Sequence, residues 1–251
     1  MITVSIVSHG HGAMLENILS DLAMMPEVDS IILTLNIPED EPVVPPSLLG
    51  RIRYIKNDHA KGFAANHNAA FQHCNSQYFC ILNPDVRLPA NPFNSLVVSM
   101  KKMGAALVAP AVSNSLGHLE DSVRLFPTPF RIFKKAIGVS KGIYYFEPND
   151  PPFYPHWVAG MFMLFDRDKF SALNGLDESY FLYYEDVDIC VRLWKSGFKV
   201  AVVPEVKVLH DAQRESHRRV KYLRWHLASM LRFTFRYWGR LPSPDRQSGC
   251  I

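Results

Sequence analysis

Cysteine is scarce and scattered in this chain: Cys74, Cys80, Cys190 and Cys250 form no CxxC pair and no zinc-ligand spacing. That excludes the dense disulfide framework of a small secreted domain and makes a reducing cytosol the simpler setting. No apolar run approaches the roughly 20 residues needed to span a bilayer, and Met1 to Val7 is too short and too lightly charged for a signal peptide. A soluble or peripheral protein is expected. Acidic residues are nearly missing from one segment: Arg214 to Arg240 carries eight Lys or Arg and one acid, which leaves the rest of the chain at −4. A mildly acidic body with a strongly basic tail suggests that the tail meets something anionic.

With 251 residues, 48% of them hydrophobic, the chain is long enough for one large α/β domain plus a tail. Its first third reads as alternating strands and helices. Strands are expected over 2–8, 31–35, 51–56 and 77–82, and helices over 15–24 and 61–74, the first with Leu15, Ile18, Leu19 and Leu22 on one face. Such alternation predicts βαβ units, a mainly parallel central sheet flanked by helices, and a binding crevice at the carboxyl ends of the strands.

Three constellations carry chemistry. Tyr180 to Tyr184 forms an aromatic run directly before Glu185, Asp186 and Asp188, at the mouth of an amphipathic helix. Acids in a first helical turn are ordinary because the helix dipole favours them there. An aromatic wall, however, would hold one carboxylate in a partly dry cleft, which suits a general base. The second is Leu82-Asn83-Pro84-Asp85, where a buried strand delivers a carboxylate into a turn. Turn chemistry alone accounts for Asn-Pro-Asp, yet a hard oxygen ligand placed there could also hold Mg²⁺ or Mn²⁺ against a diphosphate. The third is the apolar run Val206 to Leu209 ending in His210, either a structural histidine or a metal ligand.

In order along the chain, Val4-Ser5-Ile6-Val7-Ser8-His9, Lys61-Gly62-Phe63-Ala64-Ala65-Asn66-His67-Asn68, Leu82-Asn83-Pro84-Asp85, Val158-Ala159-Gly160-Met161-Phe162-Met163, Gly175-Leu176-Asp177-Glu178 and Glu185-Asp186-Val187-Asp188 with Arg192 together resemble the inverting family 2 glycosyltransferases of the GT-A fold. The resemblance spans about 2–213. It implies a Rossmann-like nucleotide-sugar-binding half (about 1–110) and an acceptor and catalytic half (about 111–213), followed by a basic amphipathic C-terminal helix and tail (214–251). The stretches from His210 to Ser216 and from Tyr222 to Leu227 look most like bacterial rhamnosyltransferases of O-antigen and cell-wall assembly. That implies a dTDP-β-L-rhamnose donor and a polyprenyl-diphosphate acceptor such as N-acetylglucosaminyl-diphospho-undecaprenol, used at the inner face of the cell membrane. Another UDP- or dTDP-sugar remains an alternative donor.

The resemblance implies roles residue by residue. Asp186 matches the catalytic base, and Asp85 and His210 match ligands of a Mg²⁺ or Mn²⁺ cofactor. Ser8 and His9 match the loop that packs on the nucleotide, while Asn36 and Lys61 fall near base or diphosphate contacts. Asn83 replaces the first Asp of the DxD motif, and Leu35 replaces an Asp that many relatives use for base or ribose. Arg214 is placed to touch the leaving phosphates. Trp157, Gly160 and Glu185 are candidates for the acceptor side, although Trp157 would serve equally as core and Glu185 as a helix-end residue. Asp188 is expected to pair with Arg192 at i+4.

The tail sets Val220, Leu223, Leu227, Met230, Leu231 and Phe235 among arginines and lysine at helical spacing, with Trp225, Tyr237 and Trp238 as interfacial aromatics. It would lie on an anionic membrane surface, or pack on the catalytic domain or across a homodimer. The QxxRW motif of processive relatives is matched only by Lys221-Tyr222-Leu223-Arg224-Trp225, so addition of a single sugar is expected. RNA binding or membrane adaptation on a degenerate fold is the alternative outside enzymes. It leaves Asp85, Asp186 and His210 without a purpose, so no nucleic-acid partner is expected. Residues 117–155, rich in proline and aromatics, are expected to form acceptor-side structure.

Overall fold

A computed structural model of the chain describes residues 1–139, 142–210 and 220–244. Strands β1 (Ile2–Ser8), β2 (Val28–Leu35), β3 (Ile52–Lys56) and β4 (Tyr78–Leu82) alternate with helices α1 (Ala13–Ala23) and α2 (Phe63–Phe71), as the apolar periodicity predicts. Leu15, Ile18, Leu19 and Leu22 are the buried residues of α1. Several boundaries shift by one to three residues, two of them for a visible reason. β2 begins earlier, because its pairing with β1 extends to Val28 opposite Ile2 and Ser30 opposite Thr3, with a register shift at Asp29. α2 begins later than residue 61, because Gly62 is extended and the Phe63 N–H donates to the Phe181 carbonyl at 2.9 Å.

The chain continues through β5 (Val86–Arg87), α3 (Phe93–Met103), β6 (Ala105–Ser113), β7 (Val123–Arg124), α4 (Pro129–Ala136), β8 (Trp157–Val158), β9 (Phe162–Asp166), α5 (Arg167–Ala172), α6 (Glu185–Lys195), β10 (Lys199–His210) and α7 (Val220–Tyr237). Eight strands form one sheet in the order β3-β2-β1-β4-β9-β6-β10-β5, and β7 pairs with β8 in a small second sheet. In the large sheet β9 runs antiparallel to both β4 and β6, β5 runs antiparallel to β10, and the other pairings are parallel, while β7 and β8 are antiparallel. All five residues of β4 are buried, the pattern of a strand covered on both faces. One apolar cluster lies under α1 and α3 and a second under α2, α5 and α6.

This topology sets the polar residues that end β1, β2, β4 and β10 along one edge. It also joins two of them across the sequence: β5 pairs with the last residues of β10, His210 opposite Val86, and so lays the Asp85 turn beside His210.

Helix α7 is expected either to lie on a membrane surface or to pack on the catalytic domain or a second copy. One of its faces packs: Ser229, Phe233 and Tyr237 are buried on the catalytic domain. Leu223, Leu227, Leu231 and Phe235 stay exposed on the opposite side. The spacing i, i+4, i+8 and i+12 makes these four one stripe. The helix therefore has a packed face and a free apolar face. Among the described residues, no helix is long and apolar enough to cross a membrane.

Candidate active site

At the strand edge, Asp85 Oδ2 lies 3.2 Å from His210 Nε2, while Asp85 Oδ1 is buried with no hydrogen-bond partner among the described residues. Burial works to raise this carboxyl, but hydrogen bonding and charge from His210 outweigh it and hold it below the ordinary carboxylate range. An ionised carboxylate beside an imidazole, with one orphaned oxygen in a buried position, fits a divalent cation. No third His, Cys, Asp or Glu completes a metal-binding group among the described residues, so the remaining ligands would have to come from a substrate or water.

Around this pair the sequence placed Ser8, His9, Asn36, Lys61 and Asn83. Ser8 is fully buried, and its Oγ donates to Glu39 Oε2 at 2.8 Å, while Glu39 Oε1 accepts from the Gly10 N–H at 3.1 Å. Glu39 thus braces the 8–12 loop, a role no motif announced. His9 lies exposed on that loop, and its N–H donates to His11 Nδ1 at 2.8 Å. His11 was also missed. Burial lowers its pKa, and the charge of Asp85 acts against that lowering, which puts His11 within electrostatic reach of the metal pair.

The expectation for Asn36 needs correction. Its carboxamide is buried and already committed: Oδ1 accepts from the Lys61 N–H at 2.9 Å, and Nδ2 donates to the Lys61 carbonyl at 3.0 Å. Asn57 and Asn66 complete this buried amide network. Asn36 holds the backbone of Lys61 rather than reaching a ligand itself, and the Lys61 side chain projects from that anchor into solvent. Asn83 is half-buried and donates its N–H to the Met161 carbonyl at 2.9 Å. Arg214 lies outside the described residues, as does the boundary at 213 and 214.

The second half of the site is the start of α6. Glu185 is buried, with Oε2 unpartnered among the described residues, and burial followed by the charge of Asp186 pushes its carboxyl well above the usual range. Asp186 differs. Burial raises it too, but the Val187 N–H donates to Oδ1 at 2.8 Å and the Gly160 N–H to Oδ2 at 3.1 Å, and Arg124 adds a favourable charge at longer range. Two neighbouring carboxyls whose surroundings separate them this way divide the work. Burial pushes Glu185 toward the protonated form more strongly than Asp186, which is partly open to solvent and accepts from two N–H groups. At Gly160 the tight neighbour is Phe63: a Cβ there would stand 3.2 Å from Phe63 Cζ but at an ordinary 3.8 Å from the Asp186 Cβ.

The backbone before α6 is unusual. Tyr183 and Tyr184 both have left-handed backbones, φ 69° and 70°, a conformation costing on the order of 1–3 kcal/mol for such residues. Contacts from α7 hold them: the ring of His226 lies 5.1 Å from that of Tyr183, and the ring of Phe233 lies 5.3 Å from that of Tyr184. Asp188 is fully buried and structural, as expected, with Arg192 Nε donating to Oδ2 at 2.6 Å. Tyr237 Oη of α7 donates to its other oxygen at 2.7 Å, and Arg236 pairs with Asp177. The tail helix is thus packed against the turn and the helix that carry Asp186.

Trp157 does not stand in the cleft to stack on a sugar. It is nearly buried, its Nε1 donates to the Leu125 carbonyl at 2.9 Å, and Arg124 covers its ring at 5.5 Å. It packs beneath the site.

The sequence model described as glycosyl transferase family 2 matches residues 6–171 of this chain. The chain belongs to that family. Residues 141–218 also match a model described as the N-terminal domain of galactosyltransferase. Over 258 aligned positions the chain is 30% identical to rhamnosyltransferase WbbL of Escherichia coli (strain K12), covering 96% of this chain and 93% of that protein. It is 27% identical to the N-acetylglucosaminyl-diphospho-decaprenol L-rhamnosyltransferase of Mycobacterium tuberculosis, over 67% of this chain but only 55% of that enzyme. Among solved structures, GalNAc-T7 with UDP, GalNAc and Mn²⁺ superposes with a TM-score of 0.63 at 17% identity, covering 86% of this chain and 44% of that one. The mannosyltransferase PcManGT from Pyrobaculum calidifontis, with GDP-Man and Mn²⁺, gives 0.59 at 16% identity, covering 92% and 64%. At those identities the likeness establishes the GT-A-like fold. Membership of the family makes the chain a glycosyltransferase and sets aside the RNA-binding alternative.

Proposed function

We propose that the protein transfers one L-rhamnosyl residue, with inversion, from dTDP-β-L-rhamnose to a saccharide on a polyprenyl diphosphate, N-acetylglucosaminyl-diphospho-undecaprenol being the leading acceptor. The observation that carries the choice of sugar is the nearly full-length similarity to an E. coli rhamnosyltransferase. Peripheral association with the cytoplasmic membrane face would bring the enzyme to such an acceptor, and the exposed stripe of α7 with its basic neighbours suits that surface.

Inversion is a single in-line displacement. Asp186 takes the proton of the acceptor hydroxyl as its oxygen bonds the anomeric carbon, while the bond from that carbon to the nucleoside diphosphate breaks on the opposite side. The backbone N–H groups of Gly160 and Val187 keep Asp186 ionised and aimed, and protonated Glu185 adds no competing charge beside it. Asp85 and His210 would hold Mg²⁺ or Mn²⁺, which as a Lewis acid stabilises the negative charge on the leaving diphosphate.

The test is a panel of dTDP-, UDP- and GDP-sugars with synthetic lipid-diphosphate acceptors, with and without Mn²⁺ or Mg²⁺. Metal-dependent transfer from dTDP-rhamnose alone is expected. Transfer from a UDP- or GDP-sugar in preference to dTDP-rhamnose overturns the donor, and full activity in chelator overturns the role of Asp85 and His210.

A further inference from the structure

Residues 127–139 form a surface segment that leaves the body through a firm stem. The Tyr144 N–H donates to the Val123 carbonyl at 3.0 Å, the Leu125 N–H donates to the Gly142 carbonyl at 2.9 Å, and Arg124 bridges Ile143. Helix α4 lies within it. Pro129 opens the helix and Thr128 caps it, Oγ1 accepting from the Arg131 N–H at 3.2 Å. Both are strong start signals, so the helix is a built element rather than a chance turn of a loop.

What α4 shows to solvent is unusual for a surface helix. Phe130 is 65% exposed, Phe133 59% and Ile137 55%, and Val139 just beyond the helix is 64% exposed. Phe130, Phe133 and Ile137 sit at i, i+3 and i+7, a single apolar stripe. Arg131, Lys134 and Lys135 flank one side of it, and from Ser122 to Phe146 the sequence holds five bases and no acid. Aromatic residues facing water beside like-signed charges are not satisfied by the body of the protein.

The stem ties this surface to the catalytic carboxylate. β7 pairs with β8, Val123 opposite Val158 and Arg124 opposite Trp157, and the Ala159 N–H donates to the Ser122 carbonyl at 2.8 Å. The next residue is Gly160, whose N–H holds Asp186. A force on the segment is therefore delivered one residue from the base.

We infer that the 127–139 segment docks onto an anionic lipid bilayer, its apolar stripe entering the headgroup boundary and its bases facing lipid phosphates, so that the Asp186 side of the site is held against the membrane. An apolar stripe flanked by Lys and Arg is the signature of an interfacial helix. A second copy of the chain is disfavoured as occupant, because a two-fold contact would set Arg131, Lys134 and Lys135 against their own copies. The inference gives the lipid-acceptor reading its surface, but its own test needs neither donor nor acceptor.

The experiment is flotation of the full chain with phosphatidylcholine vesicles, with and without phosphatidylglycerol. It is run on wild type, on Phe130→Ser with Phe133→Ser, on Lys134→Glu with Lys135→Glu, and on Leu223→Ser with Leu227→Ser in α7. Circular dichroism checks the fold, and transfer to a water-soluble short-chain acceptor checks the site. Retention on phosphatidylglycerol vesicles is expected for wild type and is expected to fall roughly tenfold in each α4 pair, with transfer to the soluble acceptor unchanged. Lack of retention by wild type overturns the inference, as does full retention by both α4 pairs with loss only in the α7 pair. Loss of a wild-type dimer in the α4 pairs without loss of vesicle binding assigns the surface to a second copy and overturns it too. Intact α4-dependent retention with no rhamnosyl transfer defeats the proposed reaction and leaves the docking surface standing.

Discussion

The two ends of the proposed site are built by different means. Asp85 and His210 come from the ends of regular strands, brought together by the pairing of β5 with β10, and their geometry follows from sheet register. Asp186 stands in the first turn of α6, directly after an irregular turn of two left-handed tyrosines against which α7 packs. A metal pair needs two donors within reach of one ion and tolerates rigid, ready-made scaffolding. A base must be aimed at one hydroxyl, kept ionised in a dry place and opened to an acceptor, and that calls for several elements converging on one carboxylate.

Asp186→Asn tests the aimed end most severely. Transfer should fall on the order of 10²-fold or more while donor binding and the fold persist, because Asn has the same shape and its single carbonyl oxygen keeps one of the two bonds from the Gly160 and Val187 N–H groups, at the cost of the other. Wild-type turnover in that variant removes Asp186 from the reaction. At the metal end, Asp85→Ala or His210→Ala should lower activity at limiting Mn²⁺ by at least about tenfold, with partial recovery at high Mn²⁺ for the histidine variant. If neither variant alters the Mn²⁺ dependence, the two ends are not the two halves of one site.

How far each end could be read from sequence follows from the same contrast. Asp85 and His210 were legible because apolar runs ending in polar residues mark strand termini, and parallel strands gather those termini on one edge. Asp186 was legible as one of three acids, and its environment then separated it from Glu185 and Asp188. The rest was hidden by distance along the chain. Glu39 has no motif around it, Arg124 lies in a segment without periodicity, and the inward face of α7 is masked by a more obvious outward stripe. Asn36 and Trp157 read as contacts because their types bind ligands well, yet both are used up by backbone partners that no sequence pattern exposes.

The division of charge between Glu185 and Asp186 gives a middle-sized effect. Because Asp186 must be ionised, kcat/KM should fall as pH drops through its pKa, and the raised value puts that acid limb above an ordinary aspartate's. Glu185→Gln should leave the limb nearly in place, since a neutral carboxyl is replaced by a neutral amide. A large downward move would mean that Glu185 carries charge. The same substitution tests stability with the opposite slope. A carboxyl whose folded pKa lies above its unfolded value of 4.5 favours the folded state below that value and loses this contribution as pH rises through the folded pKa. Glu185→Gln should therefore raise Tm at neutral pH, with the gain fading toward pH 4.5.

The smallest effect is expected from Tyr237→Phe, which removes one hydrogen bond to buried Asp188 and leaves Arg192 in place. The loss should be about 1–3 kcal/mol of stability, read as a modest drop in Tm. Its value lies in where else it registers. Asp188 shares the first turns of α6 with Asp186, and its backbone N–H bonds the carbonyl of left-handed Tyr184 at 2.8 Å. If α7 positions the base, kcat should fall several-fold with KM for the donor unchanged, and Mn²⁺ dependence should stay as in wild type. If α7 is only an attachment to the domain, Tm alone moves. The metal end, built from strands that α7 does not pair with, supplies the internal control.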